Sequence, residues 1–260
     1  YPEKDDYDVF GSLLFKSTLP LKKINMNSQE YLSPIMSLRY SPNGTKNISG
    51  NDIRLGYHNI FSLNRIGTNE FVEGGRSAAL GLEYEKTNLE EESIYGFSIA
   101  NSFRDQKNEN LPKKPSLGET RTDFVGNLFY TPNEIFKFNY EFSYDKNFDG
   151  SNYDSVRAVV NLKNFSTNFN FLSTDGIIGD SEVISNTTTY NFDSENSLQF
   201  RTTKDLKADF TEYYNLIYSY ETDCLTASIE YNKKFYNDKN LVPEQSFLFY
   251  IRFIPFTEVR

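Results

Sequence analysis

Apolar and polar residues alternate along most of this chain with a period of two. The apolar positions of the stretch 135–145 are Phe136, Phe138, Tyr140, Phe142 and Tyr144. Polar side chains occupy the positions between them, from Lys137 to Asp145. Strict alternation of this length predicts a β-strand with one apolar and one polar face. The pattern returns near 36–40, 78–84, 95–103, 155–162, 165–171, 197–201, 214–220, 226–232 and 246–253. The series predicts about 12 or 13 strands of about 10 residues, the length that a tilted membrane strand needs.

The connections between these segments fall into two classes. Tight turns are predicted at 131–134, 163–164, 194–196 and 222–224. Looser polar loops lie between these turns, and the two longest span 41–75 and 104–121. Short turns at one end of the strands and long loops at the other are typical of an outer-membrane barrel.

Charged residues in the middle of the strands favour a barrel over a soluble β-sandwich, which is the alternative. On the lipid side of a membrane sheet such charges cost up to about 2–4 kcal/mol each. Inside a closed barrel the same side chains would lie over water. We therefore predict an all-β, antiparallel transmembrane β-barrel whose lumen-facing residues include Lys137, Glu141, Arg157, Arg201 and Glu230.

Composition fits this prediction. Hydrophobic residues make up only 38% of the chain, yet aromatic residues reach 16%, as expected where only outward side chains are apolar and aromatics collect at the membrane interfaces. Trp is absent, so an aromatic girdle would consist of Tyr and Phe. The net charge of −9 argues against nucleic acid as a partner. No apolar run approaches the roughly 18 residues of a membrane helix.

Residues suited to catalysis or metal binding are scarce. The single Cys, Cys224, cannot form an internal disulfide, and the single His, His58, cannot form a metal cluster with a second His. Asn59 and Ser62 near His58 are the only candidate catalytic partners. We expect no enzyme activity, no metal site and no cofactor.

Two stretches resemble the family of the lipopolysaccharide-assembly protein LptD. In the first, 61–84, a Phe-rich loop with the pair Asn64-Arg65 leads through Gly74-Gly75 into a strand. In the second, 214–236, a Tyr-rich strand meets the acidic-Cys turn Asp223-Cys224 and a strand that ends in a basic-Phe-Tyr sequence. The segments 19–20 and 34–42 also fit, so the resemblance covers essentially the whole chain.

The resemblance implies that 1–260 is the C-terminal half of a larger barrel, without its N-terminal jelly roll and first strands. The barrel would lie in the outer membrane of a Gram-negative bacterium and insert lipopolysaccharide into the outer leaflet. Implied partners are lipopolysaccharide, the lipid bilayer, an LptE-like plug lipoprotein and, through the missing domain, a periplasmic Lpt bridge. A generic porin or substrate-specific channel is the alternative function.

The resemblance also implies roles for residues near the C-terminus. The last strand, predicted at 245–255, would form one side of a lateral gate through Ser246, Leu248, Tyr250 and Arg252. Cys224 corresponds to a family position that forms a disulfide to the N-terminal domain, although Asp223 stands beside it and allows at most one such bond. Cys224 is therefore either half of a long-range disulfide or a free cysteine in a turn.

Overall fold

The computed structural model describes residues 11–67, 73–176, 179–235 and 242–253, and all regular structure in these ranges is β. The strands, in chain order, are β1 (Leu13–Thr18), β2 (Leu21–Ile24), β3 (Gln29–Ser41), β4 (Gly75–Thr87), β5 (Ser93–Arg104), β6 (Phe124–Tyr130), β7 (Phe136–Tyr144), β8 (Ser151–Asn161), β9 (Phe165–Asp175), β10 (Asp180–Asn191), β11 (Asn196–Asp205), β12 (Phe210–Glu221), β13 (Leu225–Lys234) and β14 (Glu244–Phe253). The described residues include no helix that is long and apolar enough to cross a membrane.

The 14 strands form one antiparallel sheet in which strands hydrogen-bond in chain order from β3 to β14. The predicted all-β, antiparallel architecture is therefore confirmed. The observed count exceeds the predicted 12 or 13 partly because β1 and β2 both pair with β3 and are separated at Leu19-Pro20. The Leu19 N–H donates to the Pro34 carbonyl at 3.0 Å, and Pro20, which has no N–H, interrupts the ladder there.

The connections between strands differ widely in length. The turns at 25–28, 88–92, 131–135, 162–164, 192–195 and 222–224 are short, and they include all four turns that the sequence predicted. The connections between them include the two long loops, 42–74 and 105–123. Because consecutive strands are antiparallel, alternate connections lie at alternate strand ends, and the two long loops therefore share one end of their strands. Connection 206–209, predicted as a looser loop, is as short as turn 192–195.

The chain divides into two compact units, and the first contains the described residues of 1–130, 140–154 and 174–180. On its strands, large apolar side chains of one face are exposed, whereas many side chains of the other face, polar ones among them, are buried. In β4, Leu80 is 51% exposed, while neighbouring Ala79 and Ser77 are buried. In β5, Phe97 and Phe103 are exposed, while Ser102 and Arg104 are buried. We call the side with Leu80 and Phe97 the apolar face and the other side the polar face.

The two long loops cover the polar face of this unit and form its core. The buried apolar residues are Ile48, Leu55, Ile60, Phe61 and Ile66 from loop 42–74, Leu111 and Leu117 from loop 105–123, and Ile35, Ala79, Ala100 and Val125 from the strands. Gly81 permits this packing, because a Cβ atom there would lie 2.5 Å from Cζ of Phe61. The loops therefore fold onto the sheet, whereas the sequence predicted only that they are long and polar.

The second unit contains the described residues of 131–139, 155–173 and 181–260. Apolar side chains on its strands are also exposed, among them Phe200, Leu216, Ile229 and Phe249. None of its described apolar residues is fully buried; its buried residues are the polar Thr203 and Asn215. This unit is therefore held together mainly by its strand ladders, which run in continuous register from β12 through β13 to β14.

Candidate functional site

Four charged side chains meet where loop 42–74 returns to the sheet. We call them the Glu73 cluster: Glu73, Arg65 from the loop, Arg39 on β3 and Arg104 on β5. Arg65 donates through Nε to Oε2 of Glu73 at 2.9 Å and through Nη2 to Oε1, and Arg104 donates to the same Oε1 through Nη1. Nη1 of Arg39 lies 3.9 Å from Oε2 of Glu73. One carboxylate is thus shared by three guanidinium groups.

The cluster is buried and fastens the loop to three strands. The Glu73 side chain is 0% exposed and that of Arg65 is 1% exposed. Arg65 also donates to Ser77 Oγ on β4 at 3.1 Å and to Ser102 Oγ on β5 at 2.6 Å. Burial by itself raises the pKa of Glu73, but Arg65, Arg39 and Arg104 together hold it below its usual value. Glu73 therefore stays ionised inside the protein and binds the loop by charge.

A second buried carboxylate anchors loop 105–123. Asp123 accepts hydrogen bonds from Asn152 Nδ2 at 2.6 Å and from Ser143 Oγ at 3.3 Å. Burial raises the pKa of Asp123, and the hydrogen bonds from Asn152, Ser116 and Ser143 only partly oppose this effect. The carboxylate thus links the end of the loop to β7 and β8 within the first unit.

The sequence did not single out Glu73, Arg39, Arg104 or Asp123. Arg65 appeared only as part of the Asn64-Arg65 pair in the family-like stretch. A usable signal was the placement of Arg39 at a polar position of an alternating strand, where a charge implies water or a charged partner. Arg39 donates a hydrogen bond to the backbone carbonyl of Glu73, which lies 34 residues further along the chain. The alternation of apolar and polar residues does not predict a pairing over that distance.

The five predicted lumen residues occupy several separate places on the strands. Glu141 pairs with Arg54 of loop 42–74. Glu230 accepts a hydrogen bond from Asn215 Nδ2 at 2.6 Å. Arg201 lies opposite Asn215 in the β11–β12 register, so Glu230 and Arg201 are both neighbours of Asn215. Lys137 and Arg157 are exposed. Each lies at one of the alternate positions of its strand that carry mainly polar side chains. No lumen is defined by these placements, so that part remains a prediction.

Strand β14 carries large exposed apolar side chains on both faces. Phe247, Phe249, Ile251 and Phe253 lie on one side, and Phe249 is 68% exposed. The predicted gate residues Ser246, Leu248, Tyr250 and Arg252 lie on the other side, opposite Asn232, Glu230, Ser228 and Thr226. In the described residues β14 pairs only with β13, so its other edge is open. The predicted residues 254–255 of this strand lie outside the described ranges.

The remaining candidates lie outside the Glu73 cluster. Cys224 is exposed in the turn between β12 and β13 and is a free cysteine in the described chain. His58 is exposed, and Asn59 is engaged in its own turn through hydrogen bonds to the Gly56 N–H at 2.9 Å and the Arg54 carbonyl at 2.9 Å. Among the described residues, no group of three or more His, Cys, Asp or Glu side chains is arranged to hold a metal ion.

A comparison of the sequence with protein-family models and with curated proteins finds no match.

Proposed function

We propose that this chain is the C-terminal part of an outer-membrane β-barrel that inserts lipopolysaccharide into the outer leaflet. The observation that carries the proposal is the reversed distribution of side chains on the sheet. Apolar residues such as Leu80, Phe97 and Phe249 are exposed, whereas charged residues such as Arg39 and Arg104 are buried. A soluble protein buries its apolar face, so this arrangement favours hydrocarbon as the environment of the exposed side.

The few polar side chains on the apolar face of the second unit also support a lipid environment. Thr188 lies opposite Phe200 in the β10–β11 register and therefore shares its face. Its hydroxyl lies 2.9 Å from that of Thr167, and Asn186 Nδ2 donates to Thr167 at 2.9 Å. In hydrocarbon an unsatisfied polar group costs several kcal/mol, so hydrogen bonds among neighbours are what such a position requires.

Strand β14 supplies the argument for sideways release. Lipopolysaccharide has a charged sugar head and several acyl chains, so the head needs a polar surface and the chains need an apolar one. Leu248 and Tyr250, both 53% exposed, extend the apolar surface around the open edge of β14 to the polar face. A lipid could therefore keep its acyl chains in contact with protein while passing this edge.

A substrate-specific channel is the second candidate, and an open porin is a weaker one. The loops 42–74 and 105–123 fill the space over the polar face of the first unit with a packed core. An open porin leaves that space to water. The folded loops favour a gated or selective protein, and contact with an LptE-like lipoprotein would have to occur on polar surface that these loops leave uncovered.

The membrane orientation is tested with single tryptophans, since the chain contains none. Leu216→Trp places the reporter on the apolar face, and Ile217→Trp places it next in sequence on the face of Glu230. In proteoliposomes containing brominated phospholipids, we expect strong fluorescence quenching for Leu216→Trp and weak quenching for Ile217→Trp. Equal quenching of the two variants would remove the basis for a membrane barrel.

Transport is tested with a photo-crosslinking amino acid in the full protein in cells. We expect a probe at Tyr250 to capture lipopolysaccharide. A probe at Gln199, in β11 of the same unit, serves as the control and should capture much less. Capture of lipopolysaccharide at neither position, with a correctly inserted barrel, would favour the channel over the transporter.

A further inference from the structure

A cavity of about 340 Å³ lies in the first unit between residues 54–58 of the long loop and the polar face of the sheet. The side chains that matter for its chemistry are Arg54, Tyr57, Glu83, Glu85, Phe129 and Glu141. The volume falls at the lower end of the range for small-molecule sites, which is about 300–1,000 Å³. Apolar and polar groups both line it, as in sites that fix the orientation of a polar ligand.

One wall of the cavity is a flat aromatic surface. Phe129 on β6 lies opposite Gly96 on β5 in the strand register. A Cβ atom on Gly96 would lie 2.6 Å from Cε1 of Phe129, so the ring rests directly on the glycine backbone. Phe129 is half-buried and lines the cavity, so part of its ring is accessible to a ligand there.

Strand β4 contributes uncompensated negative charge on the same polar face, where Glu85 lies opposite Gly96 in the strand register. Arg54 is engaged with Glu141 and stacks over the Tyr153 ring at 3.9 Å from its centroid. Among the described residues, no Lys or Arg forms an ion pair with Glu83 or Glu85. The Ser93 hydroxyl donates to Glu85, and Tyr57 presents its buried hydroxyl beside Glu83. The lining therefore places the carboxylates of Glu83 and Glu85 near the Phe129 ring. Its one Arg or Lys, Arg54, is already paired with Glu141.

We propose that this cavity binds an amino sugar. The sugar ring stacks on Phe129, its ammonium group pairs with Glu83 and Glu85, and its hydroxyl groups hydrogen-bond to Ser98 and Asn127, which also line the cavity. An ammonium group near an aromatic face gains a further cation–π attraction. A metal ion fits less well, because no three metal-ligating side chains converge in the described part of the chain. The inference goes beyond the transport proposal and does not depend on it.

The test measures binding of glucosamine to the purified full-length protein in detergent micelles by titration calorimetry. We expect glucosamine to bind, and N-acetylglucosamine, which lacks the ammonium charge, to bind at least about tenfold more weakly. Glucosamine that does not bind, or that binds no better than N-acetylglucosamine, overturns the proposal.

Two variants locate the binding to this cavity. The double variant Glu83→Gln, Glu85→Gln keeps the size of both side chains and should weaken glucosamine binding about tenfold or more. The matched control Glu90→Gln, Glu91→Gln changes two exposed carboxylates in the turn between β4 and β5 and should bind like the unchanged protein. Equal affinity of the two double variants places any binding elsewhere.

Phe129→Leu retains an apolar side chain but removes the aromatic ring. Unchanged glucosamine affinity in this variant rejects the stacking role of Phe129. Lipopolysaccharide crosslinking at Tyr250 is unaffected by these outcomes, so the two proposals fail separately.

Discussion

The two compact units share one strand pattern but differ in what lies on the polar side of their strands. In the first unit, loops 42–74 and 105–123 cover that side and contribute seven of the 11 buried apolar residues. In the second unit the described residues include no buried apolar side chain, and Asn215 and Thr203 are its buried residues. A β-strand pattern by itself therefore builds a sheet, and loop sequence determines whether that sheet acquires a core.

The physical reason is the way each unit compensates for chain entropy. Long loops without secondary structure lose conformational entropy when they are ordered, and they need buried apolar area or strong polar contacts in return. Loop 42–74 has both, through Leu55, Ile60 and Phe61 and through the Glu73 cluster. The short connections of the second unit, such as 206–209 between β11 and β12, need no such core.

The largest expected effect comes from removing the charge that holds the first unit's loop. Glu73→Gln leaves three buried guanidinium groups around a neutral side chain and should destabilise the loop by about 3–5 kcal/mol. Hydrogen exchange of residues 55–66 should accelerate strongly, while exchange in β12 and β13 should not change. Glu109→Gln, the same substitution at an exposed position of the other long loop, is the control. Protection of 55–66 that survives Glu73→Gln would show that the apolar core alone holds the loop.

Acidification should reproduce this effect gradually. Because the pKa of Glu73 in the fold lies below its usual value of 4.5, its stabilising contribution is complete above that value. The contribution is lost as the pH falls through the lowered pKa of the folded protein. Limited proteolysis between about pH 6 and about pH 3 should therefore begin to cut loop 42–74 only in the acidic part of the range. In the Glu73→Gln variant, cleavage that shows the same acid dependence would assign the transition to other carboxylates.

A smaller effect is expected from crowding the contact between loop and sheet. Gly81→Ala places a methyl group against the Phe61 ring and should cost about 1–3 kcal/mol. Gly50→Ala is the matched control, because nothing lies within 4 Å of a Cβ atom at Gly50. Comparison of the two thermal unfolding midpoints measures the contact, and equal midpoints would mean that Phe61 moves aside freely.

The smallest effect is expected in the second unit. Asn215→Ala removes hydrogen bonds to Glu230 and Asn232, and the loss should be about 0.5–1.5 kcal/mol. Asn161→Ala, at an exposed position at the end of β8, is the control. Exchange rates of amides in β12 and β13 report the difference. A loss as large as that of Glu73→Gln would contradict the contrast between the two units.

Much of the sheet was predictable from local pattern, and the exceptions have identifiable causes. Strand β7 was predicted almost to its ends because its five aromatic residues alternate without interruption. Strand β10 is harder to recognise because Thr187, Thr188 and Thr189 make both faces polar. The short strands β1 and β2 are separated by Pro20, which shortens each below the length at which alternation is informative.

The candidate site was less predictable than the sheet. Glu141 and Glu230 lie on strands that alternate clearly, and their assignment to a lumen stays a prediction. The Glu73 cluster was missed because its members come from two strands and a loop, and their pairing depends on how 42–74 folds. The same loop supplies Tyr57 and Arg54 to the cavity. The cavity could therefore not be predicted from the sequence pattern of single segments either.

The sequence by itself determined that the chain forms an antiparallel sheet of long strands with an apolar and a polar face, because alternation acts between neighbouring residues. Only the tertiary structure decided that the long loops fold back over the polar face of the first unit and that Glu73 joins three arginines there. Those features depend on contacts between residues distant in sequence, which a period of two does not encode.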